Sequence, residues 1–246
     1  MLVDWPLGRD DTVSGQLRPA DLRRLRVAWS PDLAGQAAVD PEVIAVLDAR
    51  LATFTAMGCE VETDCIDFDG ADEAFRTLRA WMLAYTMHQH VLNHRDQLKP
   101  SLVQNVEEGR FLSGRDVASA MEAHTALFER ASRFFGRYDV LALPAASAAP
   151  FPAGLEHPAV VAGEPQARYL DWLAPSYLVS MTGCPAISLP AGFTADGLPV
   201  GIQLVAPYRA EQRLLSIALA FEQATGFGAR RPDVAGQLAA GAAKQG

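Results

Sequence analysis

Residues 180–207 read SMTGCPAISLPAGFTADGLPVGIQLVAP. Two apolar runs, Pro185–Leu189 and Val200–Val205, flank a turn marked by Asp196-Gly197, a strong hairpin signal. Neither run alternates with polar residues, so cover on both faces is expected. Gly183 and Ala186 are small enough to let backbone come close, while Pro185 and Pro190 stiffen the chain at low entropic cost. Such a hairpin belongs inside a sheet.

Working outward, the spacing predicts a helix over 168–182 before the hairpin and another over about 210–225 after it. The second aligns Leu214, Ile217 and Phe221 on one face and stops at Gly226. YDVLALP (138–144) reads as a buried strand, followed by a long Pro-, Ala- and Gly-rich loop, PAASAAPFPAGLEHPAVVAGEP. That loop is open to reading as a specificity element or as a connector. LRVAWSPD (25–32) and CEVETDCID (59–67) read as strands on either side of a helix. Asp40 is a suitable N-cap for that helix and Pro41 a first helical residue. Ile44, Leu47, Leu51 and Phe54 follow at helical spacing, and Gly58 is a stop. This is a βαβ pattern. Helices are expected over 71–98 and 101–110, separated by Pro100. Ser113-Gly-Arg-Asp116 resembles a capping box ahead of a long helix that ends near Gly136. The sum is an α/β architecture, a mixed β-sheet with flanking helices. An extended lead-in is expected over 1–20, one domain over 21–232 and a disordered tail over 233–246.

The 246 residues are half apolar, enough for a sizeable core, and carry a formal net charge of −8. That balance argues against an electrostatic hold on nucleic acid or anionic lipid. The basic side chains are nearly all arginine, with Lys99 and Lys244 the only lysines. Three cysteines without framework spacing suit a reducing compartment. MLVDWPLGRDDTV shows no secretory-leader pattern, and no run nears the ~18 apolar residues of a membrane span. A cytoplasmic protein, with no membrane partner, is expected.

TGCPAISLPAGFTADGLPVGIQLVAP, with the following helix ending FEQATGF, resembles the C-terminal hallmark of the amidase signature family. LRVAWSPDLAG…VDPEV, ADEAFRTLRAW and YDVLALP resemble, in order, the stretch that follows the signature core. The resemblance covers most of residues 20–232. It implies hydrolysis of carboxamide C–N bonds through a serine acyl-enzyme. A serine in a Gly/Ser-rich loop attacks, a second serine relays its proton to a buried lysine, and backbone amides form the oxyanion hole. No cofactor or metal is implied.

The Gly-Gly-Ser-Ser-Gly type of loop is absent from these residues, and neither Lys99 nor Lys244 lies in a context that would make it a base. The chain is therefore expected to be the C-terminal, substrate-wall half of a partial amidase-signature fold, inactive alone, with no catalytic residue of its own. Its companion would be a chain bearing the missing core, or a second copy, and its ligand a small-molecule amide once the site is completed. The resemblance places Pro144 and Ala145 at a strand end near the site and Trp172 on the helix leading to the hairpin. Met181, Thr182, Gly183 and Cys184 would form a turn facing the acyl group.

Other readings stand beside this one. Trp172 and Met181 serve equally as core residues. Cys184 is either a nucleophile or a small buried apolar residue. His90 and His94, four apart with His88 nearby, have metal-ligand spacing but no third ligand beyond Asp96, which favours a solvated face. The carboxylates over 60–73 read as surface positions. Rival functions are a non-catalytic binding or interaction module with a cut sheet edge, a cysteine hydrolase using Cys184, and one component of an aminoacyl-tRNA amidotransferase.

Overall fold

Strand β1 (Arg26–Trp29) grows from the apolar run at 25–32 and stops before Pro31. The computed structural model describes residues 17–230; most of the expected lead-in and the whole expected tail lie outside them. Helix α1 (Pro41–Ala56) carries Pro41 in its first turn and turns Val43, Leu47 and Phe54 inward, leaving Ile44 and Leu51 half-buried. Strand β2 (Glu60–Thr63) then runs parallel to β1 with Val27 opposite Val61, completing the βαβ pattern.

The helix expected over 71–98 is broken. Helix α2 (Ala71–Thr86) ends at Met87, and a short α3 (His88–His94) follows. Tertiary packing overrides helical periodicity here: Val91 of α3 folds back onto Val103 and Val106 of α4 (Pro100–Arg110), with Leu83 and Met87 beside them. Helix α5 (Gly114–Phe134) has the expected capping box. The Ser113 hydroxyl accepts the Asp116 N–H at 3.2 Å, and the Asp116 carboxylate accepts the Ser113 N–H at 2.7 Å.

Strand β3 (Val140–Pro144) is buried along its whole length. The loop after it contains a two-residue antiparallel pair, β4 (Val160–Val161) and β5 (Glu164–Pro165). The helix expected over 168–182 is shorter. A 3-10 turn over Asp171–Leu173 precedes α6 (Ala174–Ser180), because Pro175 can occupy only the first turn of a helix. The hairpin strands β6 (Ala186–Phe193) and β7 (Pro199–Val205) and helix α7 (Glu211–Thr225) follow, with a 3-10 turn over Phe227–Ala229 last among the described residues.

The five-stranded sheet has the order β2-β1-β3-β7-β6, parallel across β2, β1 and β3 and antiparallel across β3, β7 and β6. Helices α1 and α7 touch each other and the sheet, and so share one face; Gln203 of β7 points the other way and donates its amide to Pro175 O of α6 at 3.1 Å. Expectation fails at β6. Among the described residues it is an edge strand, and Ala186, Ser188 and Pro190, on the same face as Gln203, are exposed. An apolar run without alternation therefore did not mean two covered faces: α6 reaches Gln203 of β7, while Ala186, Ser188 and Pro190 of β6 stay exposed among the described residues.

Candidate functional site

The turn of the chain at the end of β3 builds the first candidate site. Pro144 pairs with Ile202 of β7, and the Ala145 N–H donates to Gly201 O at 3.0 Å. The chain then folds over the sheet end, and Ala148, Pro150, Phe151, Val200, Gly201 and Trp172 line an open apolar groove of about 220 Å³. The Trp172 ring meets Phe151 edge-on, with centroids 5.2 Å apart. Its indole N–H is buried without a partner among the described residues. Trp172 thus lines a groove, while Pro144 and Ala145 brace the strand beneath.

Trp172 is held by a polar network that sequence reasoning missed. Arg76 of α2 donates to Asp72 at 2.8 Å and to Asp171, the neighbour of Trp172, at 2.9 Å. The second Asp171 oxygen accepts the Arg168 N–H at 2.8 Å, and the Tyr177 hydroxyl donates to Asp72 at 2.6 Å. Burial works against the Arg76 charge, but the Asp72 hydrogen bond and charge outweigh it, holding the guanidinium firmly protonated. Burial, then Asp72, pushes the Tyr177 hydroxyl up. The Asp72–Arg76 spacing of four on one helix face was a readable signal; the link to Asp171 was not. Arg76 also borders a second, polar cleft of about 370 Å³ with Gln104, Asn105, His157 and Arg168.

The loop over 144–173 is anchored at α1. The Asp40 N–H donates to Ser147 O at 2.8 Å, and its carboxylate accepts the Ala162 N–H at 2.7 Å. Asp40 therefore precedes α1 as expected but spends its side chain on the loop, making no side-chain cap of its own helix.

Met181, Thr182, Gly183 and Cys184 lie elsewhere. Register sets Ala186 opposite Val205, which faces Leu141 at the start of β3, whereas Ala145 stands beyond its end. Four residues of strand, about 14 Å, separate the two levels. The structure thus brings Trp172 close to the Pro144–Ala145 end and not to the 181–184 turn. Gly183 has φ 69°, and a Cβ there would meet only Phe128 at 3.6 Å, so backbone conformation, not close approach, calls for glycine. Burial pushes the Cys184 thiol up to about 11, with the Thr182 hydroxyl pulling the other way.

The sole lysine among the described residues, Lys99, has a side chain 73% exposed and stands 3.9 Å from Glu156. Ser101 donates to that same glutamate at 2.7 Å. His90 and His94 are exposed on α3, and among the described residues no group of three His, Cys, Asp or Glu side chains could hold a metal ion. Of the carboxylates over 60–73, Glu60, Glu62, Asp67, Asp69 and Glu73 are exposed, and Asp64 and Asp72 are half-buried. No helix among the described residues is long and apolar enough to cross a membrane.

The Amidase family model matches residues 9–215. Acylamidase of Rhodococcus erythropolis is 32% identical over 228 residues, covering 91% of this chain and 47% of its own length. A glutamyl-tRNA(Gln) amidotransferase component from Moorella thermoacetica is 40% identical over 115 residues, covering 47% of this chain and 22% of its own. A bacterial aryl acylamidase of the amidase signature family superposes with a TM-score of 0.75 at 21% identity, over 87% of this chain and 47% of the other. The chain spans about half the length of the curated acylamidase it matches. With the hairpin, the βαβ unit and the family match in agreement over most of its length, the chain belongs to the amidase signature family.

Proposed function

We infer that these 246 residues form the substrate-wall portion of an amidase that hydrolyses carboxamide C–N bonds through a serine acyl-enzyme. In that chemistry a serine oxygen bonds to the carbonyl carbon, its proton passes to a base, and the C–N bond breaks as the amine leaves with a proton. Water then releases the acid and restores the serine. This chain contributes shape. Phe151, Trp172, Val200 and Gly201 line an apolar groove suited to the organic part of an amide, over a strand end braced by Pro144 and Ala145. The turn over Met181, Thr182, Gly183 and Cys184 belongs to the same wall but at the far level of β6.

The attacking hydroxyl and its base come from outside these residues. The observation that carries this is Lys99: exposed and paired with Glu156, it lacks the desolvation and the serine partner that a proton-accepting lysine needs. The isolated chain is expected to release no amine from an aryl acylamide and to take up no fluorophosphonate, read by absorbance and intact mass. Turnover, or a labelled serine located by peptide mapping, overturns the reading.

A further inference from the structure

Helix α2 is covered along only part of one stripe. Helix α5 packs against its first half, and between the two runs a groove of about 440 Å³, lined by Glu73, Ala74, Thr77, Leu112, Ala120 and Ala123. Beyond Thr77 the stripe continues in steps of four to Trp81 and Tyr85, past the point where α5 begins. There the helix is bare: Trp81 is 46% exposed, Met82 53% and Tyr85 87%. The chain crosses this stretch on its way from α4 to α5. Gly109 lies against Ala80 and Ala84, and Leu112 meets Thr77 in the groove, so Phe111 flanks Trp81 and is 89% exposed. Trp81 stands about 140° round the helix from Arg76, so this corner looks away from the polar cleft that Arg76 borders.

We propose that this corner is the face on which two copies of the chain associate about a twofold axis, Phe111 of each copy entering the α2–α5 groove of the other. Two observations select a second copy as the occupant. The first is charge. Arg110 and Arg115 bracket Phe111 in sequence, and neither they nor Glu73 on the groove wall form an ion pair among the described residues. A twofold axis sets the cations beside the projecting ring of one copy against Glu73 and Asp116 of the other, and does so twice, because the contacts of such an interface are reciprocal. The second is area. With about 150–250 Å² for a whole aromatic side chain, Trp81, Tyr85 and Phe111 together with Met82 leave roughly 500 Å² of apolar surface open, near the upper end for a monomer. A rim of Glu73, Arg110, Arg115 and Asp116 brings this towards the ~800 Å² that each partner gives to a stable interface. Such pairing is independent of the hydrolase reading and leaves the polar cleft open.

Sedimentation equilibrium of the 246-residue chain over a wide range of concentration tests this. The expected result is reversible growth to twice the chain mass. Phe111→Glu, a change at an exposed position, should weaken the dimer at least tenfold. Glu73→Arg, and separately Arg110→Glu with Arg115→Glu, should weaken it too, by setting like charges against each other. All three reversals combined should regain most of the affinity, a rescue that general damage to the fold would not give. Thermal unfolding of each variant establishes that it folds. The proposal fails if the chain stays monomeric throughout, if folded Phe111→Glu pairs as the original does, or if the combined reversal pairs no better than its parts. It also fails if Ala186→Lys, which charges the exposed edge of β6, abolishes the dimer while Phe111→Glu leaves it intact; the second copy would then sit on the sheet edge.

Discussion

Cys184 shows how a side chain that reads as reactive in sequence is quieted by its surroundings. Burial pushes it, Cys59 and Cys65 each up to about 11, against an ordinary value of 9.0. Only about one thiol in ten thousand is then ionised at pH 7, and the nucleophile is the thiolate. Iodoacetamide should alkylate the native chain at pH 7 roughly a hundredfold more slowly than free cysteine, and all three thiols should react once urea is added. A native Cys184 that matches free cysteine, followed by intact mass, revives the cysteine-hydrolase reading. Arg76 presents the opposite case, a residue that sequence reading passed over. Replacing it with Gln leaves Asp72 and Asp171 without their shared cation in a half-buried site and should cost roughly 2 kcal/mol by urea denaturation. Half of this was legible, since Asp72 and Arg76 stand one helical turn apart. The partner that matters for Trp172 lies 95 positions further on, and no local pattern encodes it.

Helices α2 and α4 meet through Gly109. A Cβ there would lie 2.0 Å from Ala80 O and 2.8 Å from Ala84 Cβ, and backbone on both sides prevents relief. Gly109→Ala should destabilise the chain by about 3 kcal/mol, despite the better helix propensity of alanine. Gly114→Ala is the control: nothing lies within 4 Å of its Cβ, so it should be neutral or stabilising by about 0.5 kcal/mol. An equal shift in urea midpoint for the two variants would sink this account. Element existence was largely readable: β1, α1, β2, α5, β3 and α7 follow from periodicity, caps and Pro–Gly punctuation. Where elements end was less so. The break at Met87 is set by Val91 seeking Val103 and Val106, a tertiary demand absent from the local spacing. Likewise, 168–182 carries an apolar helical pattern, but Pro175 and the ties of Asp171 limit the α-helix to its second half.

At the scale of the molecule, the sequence pattern of β6 was misleading for a physical reason. Neutral, unalternating residues mark a strand meant to be covered, but not by what, and within the described residues α6 meets Gln203 of β7 while Ala186, Ser188 and Pro190 of β6 remain exposed. The same core that buries β3 completely also sets how the fold responds to alkali. Cys59, Cys65 and Cys184 keep their protons to about 11 in the folded chain, and Tyr138 to about 12, with burial the first cause in each and the Glu62 bond next at Tyr138. In the unfolded chain thiols release protons near 9.0 and tyrosines near 10.0. As pH rises through 9 the unfolded state ionises first and is favoured, so this contribution is whole below about pH 8 and is lost progressively up to 11. After allowing for residual exposure, the loss should be roughly 3 kcal/mol by pH 11. Urea midpoints at pH 7, 9, 10 and 11 measure it. Replacing all three cysteines with alanine should remove the fall between 9 and 10 and leave the tyrosine part above 10. A midpoint that stays constant to pH 11 in the original chain would mean that these thiols ionise as freely folded as unfolded, and that the interior around them is open to water.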